Sequence, residues 1–222
     1  MTTPQLSTVI AAIGKGKIWR PTYDQDGNLL AQGAGLAKDG LSQDNDIDFH
    51  NKSVADLGCN LGHHSLMAAK QGARLVHGYE LDEHLCQGAT AIAKMHEITG
   101  VEYFQKNFVE EPPIEHYDLV LLIDIIGKNT LAKGRLIPVL DALERYTDQE
   151  IIMTIRPHYS LHGLQATTEE LADMYGSGHI VHKRFRALRL IVNHLAPRWK
   201  VIPMPHSIGT PCKIPVRFVR KK

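Results

Sequence analysis

Between Ser53 and His84 the chain reads SVADLGCNLGHHSLMAAKQGARLVHGYELDEH. An apolar run, a glycine-bearing loop, a helical stretch, a second apolar run and an acid follow in that order. This is the pattern of a β-α-β crossover, which winds right-handed and sets two parallel strands side by side. It leaves the loop and the acid at the carboxyl ends of those strands, where open α/β sheets bind nucleotides.

The pattern continues on both sides. Strands are expected at Ser53–Gly58, Ala73–Glu80, Val101–Gln105, Asp118–Ile126 and Glu150–Ile155. The fourth is almost continuously apolar, as suits a central strand buried on both faces. Helices are expected at His63–Gln71 and Asp82–Thr99, with Gly72 closing the first, Asp82 capping the second and Gly100 ending it. Further helices fall within Thr130–Tyr146, started or kinked by Pro138, and at Thr167–Tyr175. A basic helix is read over Ile180–Ala196, placing Lys183, Arg186 and Arg189 on one face. Two last strands, Trp199–Met204 and Lys213–Val219, are joined by a link too short for a parallel crossover, so they should pair antiparallel. The expected class is α/β: a doubly wound, mostly parallel sheet with an antiparallel last strand, plus a short N-terminal extension.

That extension, residues 1–50, reads as a helix over Gln5–Ile13 and then an arm or lid, with residues 51–222 as the binding domain. The arm, Ile18–Gly33, carries a tight turn at Asp26-Gly27-Asn28. Asp24, Asp26 and Asn28 have the spacing that opens a calcium loop, but Leu29 stands where that loop needs glycine and the closing Glu is missing. A polar, glycine-rich loop is expected over residues 33–46.

Bulk properties limit the partners. The 222 residues suffice for one domain with a full core. No apolar run reaches the roughly 20 residues of a membrane helix, and the N-terminus does not read as a signal peptide. Cys59, Cys86 and Cys212 fit neither a disulfide framework nor a zinc pattern, so a cytoplasmic setting without a metal is expected. Charge is uneven: residues 1–150 hold 13 Lys and Arg against 21 Asp and Glu, whereas residues 151–222 hold 12 against 3. That basic third is either a solvated surface or a face for an anionic partner.

The loop discriminates between nucleotides. A dinucleotide fingerprint, G-x-G-x-x-G, needs glycines where a pyrophosphate lies on the backbone. Laid from Gly58, it meets Asn60 and His63 instead. An acid followed by G-x-G-x-G fits better: Asp56, Gly58 and Gly62 match, and Asn60 replaces one glycine with a residue that tolerates a left-handed backbone. Glu80 ends the second strand, where a carboxylate can receive both ribose hydroxyls. From Lys106 to Asp124 the sequence KNFVEEPPIEHYDLVLLID gives a polar residue, an acidic-proline loop and aromatic-Asp-Leu-Val. With these motifs, residues 51–155 resemble class I S-adenosylmethionine-dependent methyltransferases. The resemblance implies a seven-stranded sheet with an antiparallel last strand. It implies that Asp56, Gly58, Asn60 and Gly62 line the methionine part and that Glu80 binds ribose. Leu81 would pack on adenine, Asn107 and Phe108 would meet its edge and face, and Asp124 and Ile125 would lie beside the methyl group. Gly62–Gln87 is also loosely similar to the tRNA wobble-uridine carboxymethyltransferases.

Cys59 reads as a packed residue, His63 and His64 as helix-opening groups, and Asp118 as structural. The expected chemistry is in-line displacement, in which alignment dominates and no compact catalytic motif is needed. Asp124 is the candidate base or acceptor-orienting residue, with Tyr23, His158 and Tyr159 able to reach the site if the arm and the loop after the fifth strand fold over it. The sequence DIIG after the fourth strand is not the Asn/Asp-Pro-Pro-aromatic motif of amino-methylating nucleic-acid enzymes. A small-molecule acceptor leads; an RNA acceptor on the basic third, or a non-catalytic cofactor-binding protein, are the alternatives.

Overall fold

The computed structural model describes residues 3–14, 16–34, 47–204 and 213–222. Two compact units meet in the chain after Leu121.

The first unit opens with helix α1 (Thr3–Ala12) and a hairpin of β1 (Thr22–Tyr23) and β2 (Leu29–Ala31). Then come β3 (Ser53–Leu57), α2 (His63–Lys70), β4 (Leu75–Glu80), α3 (Glu83–Met95), β5 (Val101–Gln105) and most of β6 (Leu119–Leu122). All of β3 is buried. It pairs in parallel with β4, Asp56 opposite Gly78, and with β6, Asp56 opposite Leu121. β4 pairs in parallel with β5, Glu80 opposite Gln105. The carboxyl ends of β3, β4 and β5 therefore lie along one edge, and the loops that follow them share it.

Two of the three anticipated stops hold, but α3 ends at Met95, where Glu97 turns left-handed at φ 54°, and not at Gly100. Asp82 caps α3 by accepting the amides of His84 and Leu85, and Gly72 follows α2 at φ 89°. The hairpin turn is closed by Asp24, whose carboxylate accepts the amides of Asp26 and Asn28 at 3.0 and 2.7 Å. α1 is not loose: Leu6, Ile10, Ile13 and Ile18 bury against Leu61, Leu85, Ile92 and Met95. Asp118 is structural, receiving the Ser53 amide at 2.8 Å and the Arg74 guanidinium at 2.6 Å.

The second unit holds α4 (Lys128–Ala132), α5 (Leu136–Tyr146), β7 (Glu150–Ile155), β8 (Tyr159–Ser160), α6 (Leu161–Leu164) and α7 (Thr168–Tyr175). It ends with β9 (Ile180–Val181), β10 (Arg184–Phe185), α8 (Ala187–Leu195), β11 (Trp199–Pro203) and β12 (Ile214–Arg220). β12 runs antiparallel to both β7 and β11. The main sheet has seven strands in the order β11-β12-β7-β6-β3-β4-β5. This is the α/β sheet with an antiparallel last strand that the sequence implied.

Two further expectations need correction. The fourth core strand stops at Leu122, because Asp124 turns left-handed at φ 62°. The helix expected within Thr130–Tyr146 is α5, with Pro138 in its first turn as anticipated, where its missing N–H costs nothing, and the short α4 precedes it. The basic helix is mostly not a helix before residue 187. Ile180–Val181 and Arg184–Phe185 form a hairpin whose turn residues, His182 and Lys183, both have positive φ, 49° and 57°. β-Branched Ile180 and Val181 and buried Phe185 favour strands, and β10 also pairs with β8. Lys183 thus sits on a turn, Arg186 at a helix cap and Arg189 within α8, so the shared basic face does not form. Other C-terminal cations are partnered within the unit: Arg217 with Glu150 at 2.6 Å, and Arg198 and Arg220 with Glu144. The expected loop over residues 33–46 lies, after Ala34, outside the described residues, as does Cys212.

Candidate functional site

The loop between β3 and α2 is made by three left-handed residues at every second position: Gly58 at φ 74°, Asn60 at 53° and Gly62 at 76°. The alternation coils the backbone tightly. Gly58 and Cys59 both donate to the Tyr79 carbonyl, at 2.8 and 3.1 Å, and Gly62 donates back to the Cys59 carbonyl at 2.8 Å. Beneath the loop lies Tyr103 of β5. A Cβ on Gly62 would stand 2.1 Å from its hydroxyl, and one on Gly78 would stand 2.4 Å from its ring. Gly62 is therefore required twice, by its φ and by Tyr103.

Asp56, at the end of β3, is buried and accepts the Ser65 hydroxyl at 2.6 Å. Burial raises its pKa, against the opposing effects of His64 and Ser65. Asp56 thus ties β3 to α2. Burial also pushes the Cys59 thiol well above its ordinary value, consistent with a packed rather than a nucleophilic residue.

Glu80 ends β4 half-buried. Its Oε1 accepts the amides of Leu81 and Asp82 at 2.8 and 3.0 Å, and its Oε2 accepts the amide of Asn60 at 2.9 Å. One carboxylate thus fixes both its own turn and the glycine loop. Next to it, Leu81 is 66% exposed, a large apolar side chain held at the strand ends. After β5, Asn107 organises the next loop: its side-chain oxygen accepts the Val109 amide at 3.1 Å, and its own amide donates to Glu111 at 2.8 Å. Phe108 is buried. The acidic-proline loop is held from below by a buried relay. The Ile114 amide donates to the Tyr79 hydroxyl at 3.1 Å, Tyr79 and Tyr117 share a 2.6 Å bond, and His77 Nδ1 lies 2.7 Å from Tyr117. Burial lowers the His77 pKa and raises those of both tyrosines, so the relay is neutral.

Seven predicted residues thus gather at one edge of the sheet: Asp56 and Glu80 at the ends of β3 and β4, and Gly58, Asn60, Gly62, Leu81 and Asn107 on the loops that follow β3, β4 and β5, with Phe108 buried next to Asn107 in the chain. Asp124 and Ile125 belong to the second unit. There the Asp124 amide donates to Thr154 Oγ1 at 2.8 Å. The Asp124 carboxylate receives the Lys213 ammonium at 2.7 Å and the Thr154 hydroxyl at 3.3 Å. Ile125 offers its carbonyl to Thr130 at 3.1 Å. Tyr159 is buried and donates to the Ile126 carbonyl at 3.4 Å. Burial pushes its pKa up to about 12. His158 and Tyr23 are exposed.

Sequence reasoning missed five partners: Lys213, Thr154, Tyr103 and the N-terminal pair Lys17 and Trp19, whose backbones bind Asn60. Only Thr154 left a signal, as a hydroxyl inside the apolar run EIIMTI.

No family model matches the chain, and no curated protein matches it in sequence. Many solved structures do match in shape. The magnesium protoporphyrin IX methyltransferase of Synechocystis PCC 6803, with bound S-adenosylhomocysteine, superposes with a TM-score of 0.54 at 17% identity, over 78% of this chain and 76% of that one. The same enzyme with bound S-adenosylmethionine gives 0.54 at 16% identity, over 78% and 72%. A ribosomal protein L11 methylase from Lactobacillus delbrueckii subsp. bulgaricus gives 0.52 at 16%, over 77% and 70%. The chain has the fold of the class I S-adenosylmethionine-dependent methyltransferases.

Proposed function

We propose that this protein binds S-adenosylmethionine on the loops after β3, β4 and β5 and methylates a small-molecule acceptor. The observation that carries the cofactor assignment is the alternating left-handed loop at 58, 60 and 62, latched to Glu80 by the Asn60 amide. Such a loop lacks the glycines that a pyrophosphate needs and keeps those an amino-acid carboxylate can approach. We assign Glu80, at the end of β4, to the ribose hydroxyls and exposed Leu81 to the purine; the strand-end position and the exposed apolar side chain support that assignment. Neighbours of this fold have been solved with S-adenosylmethionine and S-adenosylhomocysteine.

Bound S-adenosylmethionine supplies an activated methyl group, and the chain's own residues have the task of alignment. Asp124 is the residue assigned to the acceptor. Its carboxylate is fixed by Lys213 and Thr154, which suits it to orient an acceptor hydroxyl or amine. With no shared basic face on one helix, the case for RNA rests on the general positive charge of residues 151–222, and the small-molecule reading stays ahead of it. One of the neighbours bears the name of magnesium protoporphyrin IX and another that of a ribosomal protein. Buried, unpaired Cys59 and Cys86 fit a reducing compartment.

Titration calorimetry with S-adenosylmethionine, S-adenosylhomocysteine and NAD tests the cofactor. Tighter binding of NAD defeats the reading. Incubating cell extract with methyl-labelled S-adenosylmethionine and the protein tests the acceptor: label in metabolites is expected, and label in RNA or protein overturns it.

A further inference from the structure

Asn60 stands where the resembled loop carries glycine, and glycine would take φ 53° without strain. The side chain therefore invites an explanation, and both of its ends are in use. Its oxygen accepts the Trp19 amide at 3.0 Å, and its nitrogen donates to the Lys17 carbonyl at 2.9 Å. One side-chain amide thus pairs with the backbone of the N-terminal segment at two positions, two residues apart, as a neighbouring strand would. The Asn60 backbone amide meanwhile donates to Glu80. Segment, loop and the carboxylate at the end of β4 form one hydrogen-bonded chain.

Two further features hold the segment down. Lys17 reaches the Asp82 carboxylate at 2.6 Å, using the oxygen opposite the one that caps α3. The apolar side of α1 packs on α3 together with Leu61, which belongs to the loop itself. Gly88 makes room: a Cβ there would stand 2.7 Å from Leu61 and 3.2 Å from Ile13. The apolar anchor is extensive, whereas the polar bracket consists of two neutral hydrogen bonds and one exposed ion pair. These polar contacts flank Ile18, whose side chain belongs to the anchor, so the bracket fixes the backbone on either side of a buried residue.

We propose that Asn60 is a positioning residue that straps residues 17–19 across the cofactor loop, and that this strap slows escape of the bound nucleoside. The proposal rests on the reading of the loop as an S-adenosylmethionine site. The strap holds the loop in its coiled form and keeps the Trp19 backbone within hydrogen-bond distance of it. Leaving the site then requires breaking the bracket first.

The test compares wild type with Asn60→Gly, which keeps the left-handed backbone and the amide to Glu80 but removes both bracket bonds. Asn60→Asp is the second variant, since it keeps an acceptor for Trp19 and loses the donor to Lys17. Hydrogen exchange at the Trp19 amide is read in the ligand-free protein, and release of S-adenosylhomocysteine is read by rapid displacement. In Asn60→Gly, Trp19 exchange should rise about tenfold or more and release should quicken by a similar factor, with Asn60→Asp between the two. Unchanged exchange overturns the bracket, and faster exchange with unchanged release overturns its role in retention. Wild type that binds neither S-adenosylhomocysteine nor S-adenosylmethionine defeats the cofactor reading and with it the retention claim, while Trp19 exchange still reports on the bracket.

Discussion

Among the described residues, two are polar, left-handed and placed just after a core strand: Asn60 at φ 53° and Asp124 at φ 62°. Both carry a backbone conformation that costs energy without glycine, and both are held by several partners. The means differ. Asn60 is bracketed by neutral hydrogen bonds to the backbone of a neighbouring segment. Asp124 is held by a hydroxyl and an ammonium, Thr154 and Lys213. The first arrangement shapes a loop and leaves the loop's chemistry to its amides. The second places a charged pair after a strand. Shape-holding residues suit a cofactor that needs only positioning, and a charged pair suits a group that must be turned and held for reaction.

The largest expected effect breaks the shape side of that comparison. Gly62→Ala combines a strained φ of 76° with a Cβ 2.1 Å from the Tyr103 hydroxyl. A loss on the order of 3 kcal/mol or more in unfolding free energy is expected, since overpacking and backbone strain add. Denaturant melts decide it, and a variant as stable as wild type would mean that the loop does not coil as described. In the double variant Gly62→Ala with Tyr103→Phe, part of the loss should return, because the atom nearest the new Cβ is gone.

Next is Glu80→Ala. The carboxylate accepts three backbone amides, including the one that ties down Asn60. Cofactor affinity should fall by roughly 1.5–3 kcal/mol, the range for hydrogen bonds to a charged group, and stability should fall as well. Asp82→Ala removes the α3 cap and the Lys17 clasp and should cost stability by about 1 kcal/mol, with a smaller change in affinity. Calorimetry and thermal melts on both variants separate the two roles. If Asp82→Ala costs more affinity than Glu80→Ala, the ribose assignment belongs to the wrong acid.

The unequal legibility of the two regions has a physical source. The glycine loop could be read because its constraints are local: Gly58, Asn60 and Gly62 sit within five residues, and Glu80 follows one helix and one strand later. The cap at Asp82 and the pairing of the last strands were legible for the same reason, since short-range rules fix them. The surroundings of Asp124 were not, because Thr154 lies 30 residues away and Lys213 lies 89. No periodicity links them. The basic stretch failed differently. Its apolar spacing fitted a helix, but tertiary pairing of Phe185 with Ile180 and Tyr159 turned its opening stretch, Ile180 to Phe185, into a hairpin. Tyr103 was invisible because nothing in VEYFQ tells which residue will pack under a loop from another strand.

Replacing Lys213 sharpens the charged side. Lys213→Met removes the ammonium from Asp124 but keeps a side chain of similar length. Turnover should fall roughly 10- to 100-fold, less than the ~10²–10⁴-fold of a direct acid or base because Lys213 acts through Asp124, while S-adenosylmethionine affinity stays near wild type. Lys213→Arg should recover part of the rate. A drop in cofactor affinity with unchanged turnover would move Lys213 from the acceptor to the cofactor. Thr154→Val leaves the Asp124 amide without its partner and should cost stability by about 1–3 kcal/mol.

The smallest effect uses Asp118 as a reference carboxylate six residues before Asp124. Burial raises its pKa, but the Ser53 amide, the Arg74 guanidinium and the Ser53 hydroxyl outweigh it and bring it down to about 2 from an ordinary 3.8. A folded value below the unfolded one means that the carboxylate form is the one the fold prefers. Its contribution is complete above about pH 4 and is lost as the pH falls from there to about 2. Arg74 is half exposed, so solvent screens the pair and the net effect should be modest, about 1 kcal/mol. Urea melts between pH 6 and pH 2.5 should show Asp118→Asn converging on wild type at the acid end, with its deficit confined to the neutral side. Asp118→Asn running parallel to wild type over the whole range would show that the hydrogen bonds matter and the charge does not. In that case Asp118 would join Asn60 as a shape-holding residue, and Asp124 would be the one carboxylate of the two whose charge has work beyond the fold.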